Sequence, residues 1–225
     1  MRDIGILIPT RGRPHKIADV HTAWFQTISG NTLTDAIIVL DEDDETVYPR
    51  LDGFRYEIVP PGDRRGIVHP LNFAAKRLCG EYRFLGMIGD DHVPLTKDWD
   101  VCFLNKLTQE APYSMVYAND LFQGANLASM IVMDSRYILK LGYMTHPDLT
   151  HLFSDNFWMH MGRLKKNIHY MHDVIFEHQH YCNGKSPIDA LYAILNSQEY
   201  YGMDNEIFNR LIADKDIEES IRDLD

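Results

Sequence analysis

The sequence has no long apolar stretch. Its apolar runs, such as residues 4–8 and 36–40, contain five residues each, whereas a helix needs ~20 apolar residues to span a bilayer. Arg2 is the only positive charge before the first run, and no small-residue cleavage site follows it. We therefore expect neither a membrane segment nor a signal peptide, and we predict a cytoplasmic protein.

Cysteine and positive charge are also scarce. The three cysteines are widely spaced and include no C-x-x-C pair, which indicates reduced thiols rather than a disulfide framework or a zinc site. The formal net charge of −11 argues against a general binder of nucleic acids or other polyanions. A local basic groove is still compatible with this charge.

The remaining composition is that of an ordinary globular protein, with 45% hydrophobic and 24% charged residues, and the length suits one domain. Strand and helix patterns alternate in the first half of the chain. The predicted strands are residues 4–8, 36–40, 55–59 and 82–88, and the predicted helices are residues 14–27 and 71–78. This alternation predicts an α/β fold with a doubly wound, mostly parallel central sheet.

The second half has a more mixed pattern, and no repeat or low-complexity linker separates it from the first. Its predicted strands are residues 113–118, 129–133 and 174–180, and its predicted helices are residues 99–107 and 135–141. Further helices are predicted to begin near Ser154, Ser186 and Asp204. We therefore predict a single domain over residues 1–225, with a mixed C-terminal half.

The most informative motif is Gly89-Asp90-Asp91-His92, directly after the predicted strand 82–88. Ligands of open α/β sheets bind beyond the carboxyl ends of the strands. Two adjacent carboxylates repel each other unless a cation or hydrogen-bond donors compensate them. Mg²⁺ or Mn²⁺ bound to a diphosphate would compensate this repulsion. One carboxylate would then bind the metal, and the other could accept a hydrogen bond from a ribose hydroxyl. The alternative is an Asp-Asp turn at the surface without a ligand.

A second motif lies near the end of the predicted strand 174–180. Strand geometry places Val174, Phe176, His178 and His180 on one face. Two imidazoles beyond two apolar side chains suggest a core face that opens into a site, and neutral imidazole binds Mn²⁺ beside a carboxylate. The alternative is a pair of core histidines with hydrogen bonds of their own.

Two loops after the first two strands complete the pattern. Residues 9–14 form a turn with two guanidinium groups, which suit a nucleotide diphosphate. Residues 41–44 are acidic and could accept hydrogen bonds from a base or a ribose. Each loop taken alone is equally compatible with solvated surface.

The order of these elements resembles that of the family 2-like glycosyltransferases with the GT-A fold, over about residues 4–100. Residues 6–14 resemble their opening strand and nucleotide loop, and residues 84–91 resemble the strand that carries their D-x-D motif. The resemblance implies a nucleotide-sugar donor, with a UDP-sugar as first choice, and Mn²⁺ or Mg²⁺ as cofactor. The donor-binding residues that it implies are Pro9, Thr10, Arg11, Arg13, Asp41, Asp43, Arg65, Asn72 and Asp90.

The resemblance also implies a metal site and a catalytic base. The first acid of the D-x-D motif is replaced by Gly89, so Asp91 becomes the metal ligand, joined by His178, with His180 as the alternative. Asp155 resembles the base of an inverting transfer on the acceptor side. We expect the helix N-terminus to keep this carboxylate ionised without raising its pKa. A simple helix cap is the alternative role for Asp155.

These roles divide the chain into a nucleotide-binding half (1–100), an acceptor and metal half (101–185) and C-terminal helices (186–225). The motif at 89–92 together with the histidines at 178 and 180 also resembles short glycosyltransferases of bacteriophages. That looser resemblance suggests a hydroxymethylated base in DNA as the acceptor, in a host cytoplasm.

Three alternatives stay open at this stage. A sugar-phosphate nucleotidyltransferase would share the sheet and the metal, but its usual loop is richer in glycine than residues 9–13. A metal-dependent oxygenase could use one carboxylate and two imidazoles from Asp91, His92, His178 and His180. A non-catalytic module that binds nucleotide sugars would account for the glycine at position 89.

Overall fold

The computed structural model describes residues 1–63 and 65–224, and eight strands lie within them. The strands are β1 (Arg2–Thr10), β2 (Thr34–Asp41), β3 (Phe54–Val59), β4 (Tyr82–Met87), β5 (His92–Pro94), β6 (Met115–Asn119), β7 (Ile131–Asp134) and β8 (Ile168–His178). The helices are α1 (Pro14–Thr27), α2 (Val68–Leu78), α3 (Trp99–Gln109), α4 (Ser135–Leu141), α5 (Ser154–Lys165), α6 (Ala190–Leu195), α7 (Gln198–Ala213) and α8 (Asp216–Ile221).

One half of the sheet is parallel. In the strand order β3-β2-β1-β4-β7-β6-β8-β5, the first four strands run in the same direction. β1 is buried from Ile4 to Thr10, with α2 and α3 packed against it. Burial on both faces explains why β1 is a nearly continuous apolar run rather than an alternating one. The carboxyl ends of β1, β2 and β4 therefore meet at one edge of the sheet.

The other half of the sheet is mixed. β7 runs antiparallel to both β4 and β6, whereas β6 and β8 are parallel. The short strand β5 pairs antiparallel with the end of β8 and places His92 opposite His178. The prediction of an α/β fold with a mixed C-terminal half is confirmed.

Several helix boundaries agree with the sequence and others do not. α1 and α4 have the predicted bounds. α6 begins after Asp189 rather than at Ser186, because the Asp189 carboxylate accepts the hydrogen bond of the Tyr192 backbone N–H. No helix within residues 1–63 and 65–224 combines the length and the apolar character needed to cross a membrane.

The prediction that Asp204 starts a helix is wrong. α7 begins after Ser197, and Asp204 lies in its middle, fully buried. Its carboxylate accepts hydrogen bonds from the backbone N–H groups of Thr150, His151 and Leu152, at 2.9, 2.8 and 2.8 Å. Aspartate is typical of helix starts because it caps free N–H groups; here it caps those of a distant loop instead.

We expect Asp204→Ala to lower the free energy of unfolding by roughly 2–5 kcal/mol, because backbone donors of the 150–152 segment lose their buried acceptor. Urea unfolding followed by circular dichroism would measure this. Glu206→Ala, an exposed acid on the same helix, is the control and should change stability by less than about 0.5 kcal/mol. Equal unfolding midpoints for the two variants would contradict this role.

Candidate active site

A cavity of about 320 Å³ opens at the carboxyl ends of β1, β2 and β4. This is the edge where open α/β sheets bind ligands. Most of the site residues that the sequence predicts line it, namely Pro9, Thr10, Arg11, Arg13, Asp41, Arg65, Asp90, Asp91, Asp155, His178 and His180. The structure thus brings together residues from both halves of the chain.

Asp43 and Asn72 are predicted site residues that do not line this cavity. Asp43 lies outside it and forms an ion pair with Arg11. The Asn72 side chain donates to the Thr145 carbonyl and accepts from the backbone N–H groups of Met144 and Thr145. Asn72 therefore ties α2 to the chain at 144–145.

Asp90 connects the basic turn to the end of β4. It is buried, with 5% of its surface exposed. Thr10 Oγ1 donates to one carboxylate oxygen at 2.7 Å, and Arg13 Nη1 donates to the other at 3.1 Å. Burial raises the pKa of Asp90 to about 6, although the Arg13 charge opposes the rise. Both oxygens already accept hydrogen bonds from the protein.

The two arginines of the turn are also paired with carboxylates. Arg11 contacts Asp41 at 3.0 Å and Asp43 at 2.6 Å. Arg13 donates to both oxygens of Asp189 at 2.8 and 3.0 Å, in addition to its contact with Asp90. Both guanidinium groups are therefore paired with carboxylates, and neither is a free positive charge.

Arg65 differs from these two arginines. It is exposed at the cavity and forms no salt bridge with any carboxylate in the described part of the chain. Its guanidinium is therefore available to an anionic ligand.

Asp91, His92 and His178 form a group that could hold a metal ion, with one ligand atom of each within 4.8 Å of the others. His92 Nδ1 lies 3.2 Å from Asp91 Oδ1, and His178 Nε2 lies 3.5 Å from Asp91 Oδ2. The imidazole rings stack with their centroids 4.0 Å apart. One carboxylate and two imidazoles suit Mn²⁺ and similar divalent ions. The buried His92 Nδ1 has no hydrogen bond within the described protein, which fits a metal ligand.

The charge state of Asp91 also fits a cation. Burial by itself would raise the pKa of Asp91, but the neighbouring His178 and His92 imidazoles outweigh it and hold the pKa well below its usual range. Burial lowers the pKa of His178, yet Asp120 and Asp91 outweigh burial and raise it to about 9. Asp91 is thus ionised, and its negative charge together with the neighbouring imidazoles suits a bound cation.

His180 does not belong to this group, although its ring centroid lies 5.0 Å from that of His178. Its Nδ1 accepts a hydrogen bond from the backbone N–H of Cys182 at 3.2 Å. β8 ends at His178, so the strand alternation that would place both histidines on one face stops before His180. His92 takes its place through the β5–β8 pairing, which no local sequence pattern reveals.

Asp155 lies in the first turn of α5, partly buried at the cavity. Its Oδ1 accepts a hydrogen bond from the Asn156 backbone N–H at 2.9 Å. Burial raises its pKa to about 6 despite this bond. The expectation that the pKa is not raised is therefore wrong, because desolvation exceeds the effect of the helix N-terminus. A carboxylate with a pKa near neutrality suits general base catalysis.

Sequence reasoning missed several residues at the site. Tyr192 on α6 donates its hydroxyl hydrogen to Asp91, and its ring stacks with the Arg13 guanidinium at 3.9 Å. Asp189 holds Arg13, and His151 faces the cavity with its buried Nδ1 lacking a hydrogen bond in the described residues. The C-terminal helices thus contribute to the site, and only Asp189 had a local signal, as a helix start.

No known family model matches the sequence, and no curated protein does either. Similar solved structures do exist. S. aureus TarS superposes with a TM-score of 0.57 at 11% identity, over 77% of this chain and 36% of TarS. The chain thus spans about a third of the length of TarS.

Two other similar structures are matched over most of their length. Drosophila β1,4-galactosyltransferase 7 gives a TM-score of 0.52 at 12% identity, over 88% of this chain and 81% of that catalytic domain. The mannosyltransferase PcManGT from Pyrobaculum calidifontis gives a TM-score of 0.51 at 11% identity, over 95% of this chain and 77% of PcManGT. These likenesses show that the chain has the fold of GT-A glycosyltransferases.

The two candidate ligand sets make different predictions for Mn²⁺ binding. Mutation of a residue that only orients a metal ligand typically lowers metal affinity about 10–100-fold. Removal of a ligand itself should therefore lower the affinity at least about tenfold. We expect this for His92→Ala, and less than about threefold for His180→Ala, which serves as the matched control. Isothermal titration calorimetry with Mn²⁺ would measure both. A larger loss for His180→Ala would restore His180 to the ligand set.

Proposed function

We propose that this protein is a metal-dependent glycosyltransferase that moves a sugar from a nucleotide-sugar donor to an acceptor hydroxyl. The observation that carries the proposal is the Asp91–His92–His178 group in one cavity with Asp155 and the basic turn. Proteins of similar fold that bind a nucleotide sugar and Mn²⁺ support the proposal. A mutant of the Drosophila galactosyltransferase has been crystallised with manganese, UDP-Gal and xylobiose, and PcManGT with GDP-Man and Mn²⁺.

Asp91, His92 and His178 would hold the divalent ion. Two imidazoles among the ligands favour Mn²⁺ over Mg²⁺, which prefers oxygen ligands. When bound, the ion neutralises negative charge on the diphosphate leaving group. Arg65 adds an exposed guanidinium at the cavity for the same phosphates.

The loops after β1 and β2 would bind the nucleoside of the donor, a UDP-sugar as first choice. Asp41 lies at the end of β2 and borders the cavity, where it could accept hydrogen bonds from a base. Arg11 pairs with Asp41 and so holds this acid in position. Pro9 and Thr10 supply the wall at the end of β1.

Asp155 would act as the base that removes the proton from the acceptor hydroxyl as that oxygen attacks the sugar carbon. A direct attack of this kind inverts the anomeric centre. The support for this role is its position at the cavity and its pKa of about 6. The identity of the acceptor stays a prediction. Transfer to a hydroxymethylated base in DNA should be compared with transfer to sugar hydroxyls. The net charge of −11 does not favour a polyanion such as DNA as the acceptor.

One carboxylate and two imidazoles also occur in iron- and 2-oxoglutarate-dependent oxygenases. The fold favours glycosyl transfer, since the same cavity carries the loops at the ends of β1 and β2. A nucleotidyltransferase would release pyrophosphate from a nucleoside triphosphate and a sugar phosphate. Assays with these substrates separate the three activities.

We expect nucleotide-sugar binding to require a divalent ion. Calorimetry should show donor affinity that rises by tenfold or more when Mn²⁺ replaces EDTA, on the order of 1.4 kcal/mol. Asp91→Ala should remove this dependence because it removes the only carboxylate of the group. Asp43→Asn, an exposed acid outside the cavity, is the control and should keep it. Equal affinity in EDTA and Mn²⁺ for the unaltered protein would refute the metal's role in donor binding.

We expect Asp155→Asn to lower the transfer rate by about 10²–10⁴ while donor affinity stays unchanged, because the amide keeps the shape but cannot accept a proton. The rate of the unaltered protein should fall as the pH drops through about 6, where Asp155 becomes protonated. The variant should lack this fall. A transfer rate within about threefold of the parent would mean that Asp155 is not the base. NMR of the product linkage tests inversion.

A further inference from the structure

Asp120 is a fully buried carboxylate next to the cavity, directly after β6, with 1% of its surface exposed. Its Oδ1 accepts hydrogen bonds from three successive backbone N–H groups, those of Phe122, Gln123 and Gly124, at 3.0, 2.7 and 2.8 Å. These bonds fix the orientation of the carboxylate. They leave Oδ2 to face other groups.

Asp120 Oδ2 is linked to His92 through the hydroxyl of Ser129. Ser129 Oγ donates its hydrogen to Asp120 Oδ2 at 2.7 Å. The same hydroxyl lies 3.4 Å from His92 Nε2. Since a hydroxyl has one hydrogen and here gives it to Asp120, Ser129 can only accept from His92. A neutral His92 in this arrangement carries its hydrogen on Nε2, which leaves the Nδ1 lone pair on the side of Asp91.

The second group is His178. Asp120 Oδ2 lies 3.8 Å from His178 Nδ1, and the Asp120 carbonyl accepts the His178 backbone N–H at 3.0 Å. The side-chain distance is longer than a hydrogen bond, but a negative oxygen at this position favours the hydrogen on Nδ1. In the metal-bound state, in which His178 must be neutral, its Nε2 lone pair is then free for the ion beside Asp91.

We propose that Asp120 is the positioning residue of the metal group: one carboxylate oxygen sets the ring orientation and the tautomer of both histidines. This inference rests on the proposed metal-dependent function. Hydrogen-bond acceptors behind metal-ligating histidines orient the ring and hold the second nitrogen protonated. A single oxygen that serves two imidazoles couples their geometry, so a change at Asp120 affects both ligands at once.

Asp120→Asn is the most informative variant. An asparagine can keep the oxygen that accepts the three backbone N–H groups, but it places an NH₂ donor where Oδ2 faced Ser129 and His178. The donor favours the opposite tautomer in both rings. We expect Mn²⁺ affinity of the full chain, measured by calorimetry without nucleotide, to fall about 10–100-fold. Asp173→Asn, the same change at a side chain that is 98% exposed, should leave the affinity unaltered.

A second variant and a second measurement guard against misfolding. Ser129→Ala removes only the link to His92 and keeps all three backbone hydrogen bonds of Asp120; we expect a smaller loss of Mn²⁺ affinity. In the Zn²⁺-loaded protein, ¹⁵N NMR of the imidazoles should show His92 protonated on Nε2 and His178 on Nδ1 in the parent. Asp120→Asn should alter this pattern.

The outcomes separate this inference from the proposed function. Unchanged Mn²⁺ affinity in folded Asp120→Asn and Ser129→Ala, with Mn²⁺ binding to the parent intact, would overturn the role of Asp120 alone. Failure of the parent to bind Mn²⁺ both with and without a nucleotide sugar would overturn both the inference and the metal-dependent mechanism.

Discussion

Two adjacent buried carboxylates, Asp90 and Asp91, impose the constraint on which the site depends. Each is only 5% exposed, and neighbouring negative charges with little water around them must be compensated separately. Asp90 is compensated by the turn after β1, through Thr10 and Arg13. Asp91 is compensated by groups from the other half of the sheet and from α6, namely His92, His178 and Tyr192.

These contacts also position the C-terminal helices. Arg13 links Asp90 to Asp189, and Asp189 in turn caps α6. Asp204 on α7 holds the backbone of the 150–152 segment, directly before α5 and Asp155. The last helices therefore act on the site through charge pairs and a buried cap, in addition to any apolar packing. Changes in these helices are expected to alter the site even though they lie far from β4 in the sequence.

The charge balance of the cavity explains why a cation is central to the proposed function. Among the described lining residues, four aspartates (Asp41, Asp90, Asp91 and Asp155) face three arginines (Arg11, Arg13 and Arg65). Two of these arginines are already paired with carboxylates. A nucleotide diphosphate would bring further negative charge to the cavity. The exposed Arg65 guanidinium does not balance it, and the charge of His178 already offsets Asp91 and Asp120. Under the proposed function, a divalent ion held by the group at Asp91 would supply the missing positive charge.

The sequence by itself determined the strands of the parallel half of the sheet and the charged residues at their carboxyl ends. Hydrophobic patterning placed β1 to β4 and the bounds of α1 and α4 correctly, because these patterns reflect local geometry and burial. The position of Asp90 and Asp91 after β4 followed from the strand itself, and so did their placement at the ligand edge of the sheet.

Only the tertiary structure decided which side chains meet. The pairing of β5 with β8 sets His92 opposite His178, and no local pattern encodes a ladder between strands so far apart in the chain. Asn72 and Asp204 are polar residues whose partners lie in distant loops. The family resemblance therefore suggested a donor contact for Asn72, and local context suggested a helix start for Asp204. The pKa of Asp155 depends on burial, and burial is a property of the packed molecule, because it is set by what surrounds a group in space rather than by its neighbours in sequence.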